Sequence, residues 1–140
     1  MNKLKTYASF VKFEHTLFSL PLILGGAWLA AGGAPPLKII LLTILAGTGA
    51  RTAAFGLNRM IDREIDGRNP RTANRELPAG RMRVTEAWLV TLTGIAVYIV
   101  CAALICPFVL QWSWLPLVIF AVYPYLKRFT VAAHWGIGLA

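Results

Sequence analysis

Residues 39–66 read IILLTILAGTGARTAAFGLNRMIDREID (Ile39 to Asp66), an apolar run, interrupted only by Arg51, that passes into a charged end. The apolar part has the length and composition of a membrane-crossing helix. In its continuation Asn58, Asp62 and Asp66 recur at intervals of four. On a helix that spacing stacks the three side chains on one face, about 6 Å apart per step. Neighbouring carboxylates repel, and a divalent cation bound by oxygen ligands turns the repulsion into affinity. Mg²⁺ suits the pattern, because it is commonly held by one or two carboxylates plus substrate phosphates. Arg59, Arg63, Arg68, Arg71, Arg75, Arg81 and Arg83 surround the acids and suit a phosphorylated ligand. The plainer alternative is a solvated helix end, with Arg59, Arg63 and Glu64 in ordinary surface pairs.

Working outward, the chain of 140 residues is 57% hydrophobic and only 14% charged, against about a quarter charged in a soluble domain. Thr16 to Leu37 and Ala87 to Leu126 carry no charge at all. Spans are expected at about 16–34, 37–58, 85–106 and 108–126, with a loop over 59–84 and a turn at Pro107 to Ser113. Phe129 to Ala140 is apolar but too short to cross, and reads as the start of a fifth span. The expected fold is an all-α polytopic transmembrane bundle, residues 1–140 forming a single N-terminal part with about four complete spans. Gly47, Gly49 and Gly56 would let neighbouring helices approach closely. The second helix is expected to run on to about Asp66, with Gly67 as its stop. Residues 1–15, with Tyr7, Phe10, Val11 and Phe13 among lysines, suit the membrane interface.

The net charge of +8 is distributed unevenly. Every cationic residue except Lys38 and Arg51 falls before the first span, in the 59–84 loop, or after the fourth span, and Arg51 lies toward the loop side of the second span. This is the positive-inside pattern, and it puts the N-terminus and the loop in the cytoplasm. No nucleic-acid-binding motif accompanies the charge, so a nucleic-acid partner is not expected. Cys101 and Cys106 form neither a disulfide framework nor a metal-ligand cluster and read as packing residues. The N-terminal apolar stretch is too long for a cleavable signal peptide.

Arg51 lies seven residues before Asn58, nearly on the same face and about 10 Å deeper along the axis. An arginine inside a span usually faces a polar cavity with a partner. It could face the cavity and bind the carboxylate of an acidic ligand, or snorkel and pair with Glu14.

From Asn58 the chain continues Arg59-Met60-Ile61-Asp62-Arg63-Glu64-Ile65-Asp66-Gly67-Arg68-Asn69-Pro70-Arg71-Thr72-Ala73-Asn74-Arg75-Glu76-Leu77-Pro78-Ala79-Gly80. This closely resembles the first aspartate-rich motif and following loop of the UbiA-type intramembrane prenyltransferases, and Tyr123 with Lys127 matches their Y-x-x-x-K element. The resemblance implies a membrane enzyme that transfers an isoprenoid chain from its diphosphate to an aromatic acid, using Mg²⁺. It implies that Asn58, Asp62 and Asp66 hold Mg²⁺ and diphosphate, that Arg71 and Arg75 cover the diphosphate, and that Tyr123 and Lys127 complete the catalytic pocket. Arg51 matches a family arginine below the motif. Lys12 to Phe18 is similar to the branch near the 4-hydroxybenzoate polyprenyltransferases of ubiquinone synthesis, especially members in the futalosine route to menaquinone, whose acceptor is a dihydroxynaphthoate. There His15 would orient the acceptor, or simply pack near the interface. The implied partners are a polyprenyl diphosphate, an aromatic acid and membrane lipid, in a bacterial inner membrane.

One departure stands out. The family carries a second D-x-x-x-D motif between its sixth and seventh of typically nine spans, and no acidic residue follows Glu86 here. The expectation is therefore the N-terminal half of a longer protein or a truncated member, inactive alone. The rival class is a non-enzymatic membrane protein whose basic loop binds anionic lipid headgroups. That class accounts for the arginines but not for the aligned acids.

Overall fold

The computed structural model describes residues 3–130. They form α1 (Lys3–Phe10), α2 (Phe13–Ala31), α3 (Leu37–Ile61), α4 (Arg63–Arg68), α5 (Val84–Ile105), α6 (Pro107–Trp112) and α7 (Trp114–Leu126), and no strand occurs among the described residues. Helix α3 is central: its main partner is α5, and it also packs on α7 and α2. The α3–α5 crossing is close because two glycines face each other there. A Cβ on Gly49 would lie 2.7 Å from the Gly94 carbonyl oxygen, and one on Gly94 would lie 2.9 Å from that of Gly49. Small residues at such a contact let backbones approach where lipid supplies no hydrophobic drive.

Among the described residues three segments are long and apolar enough to cross a membrane: α3, α5 and the α6–α7 rod over Pro107–Leu126. Helix α2 occupies the expected first span but is not among them, its first turn carrying Glu14 and the polar His15. It ends at Gly32, where the Gly32 and Gly33 N–H groups donate to the Leu29 and Trp28 carbonyls. Phe18, Leu22 and Leu29 of α2 are exposed, as are Leu41, Leu45, Leu89 and Leu92 on α3 and α5. Apolar exposure on this scale belongs to lipid-facing helices. The start of a fifth span expected at 129–140 falls almost wholly outside the described residues.

Two boundaries differ from the expected ones. The turn expected at 107–113 is a single extended residue, Cys106, followed by α6 with Pro107 in its first turn. Proline there costs nothing, since the first helical N–H is unpaired anyway. The second correction is the end of α3. It does not run to Asp66 but bends at Asp62 (φ −91°, ψ 1°), and Gly67 lies inside α4, which is capped by Asn69. The hydrogen-bond register survives the bend, because Asp62 N–H donates to Asn58 O and Asp66 N–H to Asp62 O.

A small apolar core lies at the loop end of α3. Phe10, Met82 and Ala87 are buried there, packed by Tyr7, Val11, Met60, Leu77 and Val90. It joins α1 to the start of α5, where the Glu86 carboxylate accepts from the Arg83 N–H at 2.9 Å and from Tyr7 Oη at 3.3 Å.

Candidate functional site

Residues 58 to 66 bring the polar end of α3 against the end of α7. The Lys127 ammonium donates to Asn58 Oδ1 at 2.9 Å and to Asp62 Oδ2. Arg128 completes the ring, donating to Asp62 Oδ1 at 3.1 Å and to the Ile61 carbonyl at 3.2 Å. The Asp62 side chain is only 3% exposed, whereas Lys127 and Arg128 are each about a third exposed. Tyr123 lies one turn before Lys127, its ring centroid 5.8 Å from the ammonium, and Tyr125 stands likewise below Arg128 at 5.1 Å.

The bend at Asp62 divides the expected stack of three. Asn58 and Asp62 converge on one cation, while Asp66 turns toward the loop and accepts from Arg75 at 2.6 Å. The loop reinforces that turn, because Thr72 Oγ1 donates to the Asp66 carbonyl at 2.9 Å. Among the described residues no three acidic, histidine or cysteine side chains converge as a metal-binding group. What the structure does show is an ammonium held between an amide oxygen and a carboxylate oxygen. Those two oxygens therefore already point at a common cation position, and hard oxygen donors are what Mg²⁺ takes.

The other expected residues are more scattered. Arg71 is exposed, and its backbone N–H donates to Asn69 Oδ1 at 3.0 Å in a local turn. Arg51 does not pair with Glu14: its guanidinium donates to Ser19 Oγ of α2 at 2.8 Å and lies 5.4 Å over the Phe55 ring. Its Nε is buried without a hydrogen-bond partner among the described residues. His15 is exposed on α2, and no hydrogen bond among the described residues joins its imidazole to the acidic cluster.

The sequence reading missed two sets of contacts. Arg128, which the charge pattern marks only as a cation after the fourth span, binds Asp62 directly; its signal is adjacency to Lys127. The second is an ion pair between Arg59 and Glu76, both side chains less than a tenth exposed. Ser9 Oγ of α1 donates to Glu76 Oε1 at 2.6 Å, and Arg59 also donates to the Ser9 carbonyl at 3.3 Å and faces the Phe10 ring at 5.6 Å. Burial alone pushes the Glu76 carboxyl upward, but the Ser9 hydroxyl, a backbone N–H and the Arg59 guanidinium together hold it below its ordinary value. Glu76 is the only acidic residue between Asp66 and Glu86, which could have marked it.

Residues 19–140 match the UbiA prenyltransferase family. The chain is 31% identical over 142 residues to a 4-hydroxybenzoate octaprenyltransferase of Actinobacillus pleuropneumoniae serotype 3 (strain JL03), covering 99% of this chain and 48% of that protein. It is 34% identical over 152 residues to the protein of that name from Marinomonas sp. (strain MWYL1), covering 100% of this chain and 50% of the relative. Its fold is similar to the apo structure of a UbiA homolog from Aeropyrum pernix K1, with a TM-score of 0.83 and 38% identity over 89% of this chain and 45% of that one. The chain thus spans about half the length of the relatives it matches.

Proposed function

Because this chain belongs to the UbiA prenyltransferase family, we propose that it carries the diphosphate-binding part of an enzyme that transfers a polyprenyl group from its diphosphate to an aromatic acid. The observation that carries this reading is the Asn58–Asp62–Lys127–Arg128 cluster with the neighbouring Asp66–Arg75 pair. It combines oxygen donors for a divalent cation with cations for phosphate, at the end of a membrane-length helix. The names of the relatives support 4-hydroxybenzoate as acceptor, and the family resemblance supports quinone synthesis as the setting. The Lys12 to Phe18 resemblance supports a dihydroxynaphthoate in menaquinone synthesis. The positive-inside charge pattern favours a cytoplasmic 59–84 loop, and the bacterial relatives favour a bacterial inner membrane.

Asn58 and Asp62, whose oxygens share one cation position, are the residues that would hold Mg²⁺, with Asp66 joining them once Arg75 releases it. When bound, Mg²⁺ supplies neutralisation of the charge that builds on the departing diphosphate. The remaining chemistry belongs to the chain. Lys127, Arg128 and Arg75 now neutralise carboxylates, and with substrate in place they turn to phosphate oxygens, where transition-state charge develops. Asp62 is buried, so its charge interactions are weakly screened by water. The Tyr123 ring face stabilises positive charge on that carbon until the electron-rich acceptor ring attacks. Arg51, with one guanidinium nitrogen unpartnered and below the cluster, receives the acceptor carboxylate. A lipid-headgroup surface would use exposed arginines alone, whereas here three cations are engaged by Asp62 and Asp66.

The test is binding of a labelled prenyl diphosphate to the protein in lipid nanodiscs, with Mg²⁺ and with chelator. Binding should require Mg²⁺ and be lost in Asp62→Asn while the helical circular-dichroism signal persists. Equal binding with and without Mg²⁺, or undiminished binding by Asp62→Asn, overturns the assignment.

A further inference from the structure

Leu77 and Met82 hold the far part of the loop in the small apolar core, and charge pins the part that carries Arg75. Residues 75 to 81 form consecutive hydrogen-bonded turns, with Ala79 N–H donating to the Arg75 carbonyl and Arg81 N–H to that of Glu76, and Gly80 at φ 69°. Adjacent residues of these turns reach opposite partners: Arg75 reaches Asp66 on one side while Glu76 reaches Arg59 on the other. Helix α3 makes the matching split: Asn58 faces the cation position, and Arg59 faces away from it. The Arg59–Glu76 pair is thus the back side of the same two turns whose front side forms the site.

A buried ion pair is a poor source of stability compared with apolar packing, and its best-attested use is to fix register. We propose that the Arg59–Glu76 pair, closed by Ser9 of α1, is a positioning device that holds Arg75 opposite Asp66 and makes the N-terminal helix α1 part of the diphosphate site. Arg59, Glu76 and Ser9 touch no reacting atom in this scheme; they act through Arg75. The binding consequence rests on the function proposed above, whereas the anchoring of the loop does not.

The experiment uses the protein in nanodiscs, with Glu76→Gln, Ser9→Ala, Arg75→Gln and the Glu76→Gln/Arg75→Gln double variant. One readout is amide hydrogen exchange at Thr72 to Arg75. The other is affinity for inorganic pyrophosphate with Mg²⁺, measured by calorimetry. Glu76→Gln should speed the exchange about tenfold or more, and weaken pyrophosphate binding about ten- to a hundredfold, the scale of a misplaced binding group. In the Arg75→Gln background Glu76→Gln should add no further loss, because its action passes through Arg75. Ser9→Ala should give the same pattern at smaller size; it leaves no charge stranded and decides the matter if Glu76→Gln does not fold. Unchanged exchange overturns the anchoring. Faster exchange with unchanged affinity, or an equal loss in both backgrounds, overturns the positioning role. If the unmodified protein binds no Mg²⁺–pyrophosphate, the function proposed above fails, and the exchange readout alone upholds or overturns the anchor.

Discussion

Replacing Lys127 with methionine should move two affinities in opposite directions. The ammonium lies 2.9 Å from Asn58 Oδ1 and donates also to Asp62 Oδ2, so it occupies the oxygens that a divalent ion needs. Its side chain is 32% exposed and that of Asp62 is 3% exposed. At an effective dielectric of about 20 the direct attraction of such a pair is about 4 kcal/mol. Rehydration of the freed ammonium returns much of that, leaving the ~1.5–3 kcal/mol typical of a hydrogen bond to a charged group. Arg128 still holds Asp62 Oδ1 in the variant, so the buried carboxylate is not left bare. Removing a competitor of about 1.5 kcal/mol should raise affinity for a free divalent ion roughly tenfold. Prenyl diphosphate binding should fall by a similar factor, because the lost ammonium is also a phosphate partner. Methionine preserves most of the aliphatic stem, which limits packing losses. Mn²⁺ titration by paramagnetic resonance reads the first affinity, and binding of labelled prenyl diphosphate reads the second. A fall in metal affinity, or donor binding that does not change, refutes the reasoning.

Three further outcomes follow from particular residues. Arg51→Leu should raise the KM for the aromatic acid far more than that for the prenyl donor, and equal effects on both would make Arg51 a purely structural tie to Ser19. Gly49→Ala drives a Cβ to 2.7 Å from the Gly94 carbonyl and should lower stability by about 1–3 kcal/mol in thermal unfolding, while Gly25→Ala, with nothing within 4 Å, should be neutral or slightly stabilising; similar midpoints for the two would contradict the close crossing. The Glu76 carboxyl is held below its ordinary value, so its anchoring is complete above the unfolded value of about 4.3 and is lost as pH falls through the lower folded one. Pepsin nicking of residues 69–82 should therefore rise steeply only below about pH 4, and Glu76→Gln should be nicked readily at pH 5; a pH-independent nicking rate in the unmodified protein would count against the anchor.

Local chemistry made much of this legible in the sequence. Uncharged runs of membrane length announce helices because a lipid-facing backbone must satisfy its own hydrogen bonds, and the segments over 37–61, 84–105 and 107–126 are helical with at most a one-residue break. The four-residue spacing of Asn58 and Asp62 likewise predicts a shared face, and the two meet on one cation. Spacing could not reveal the bend at Asp62, because a helix end is decided by what its side chains can reach. Asp66 leaves the stack to meet Thr72 and Arg75, which belong to a loop with no period of its own. Nor could spacing tell which of the many arginines matter. Arg59 and Arg63 look equivalent along the chain, yet Arg59 is buried against Glu76 and Ser9 while Arg63 stays exposed beside Glu64. The sequence by itself thus determined the helices and the presence of an acidic cluster among cations, because both depend on residues within a few positions of one another. Only the tertiary structure decided the pairings, Lys127 and Arg128 on Asp62, Arg75 on Asp66 and Glu76 on Arg59, because each joins elements that the chain brings together only on folding.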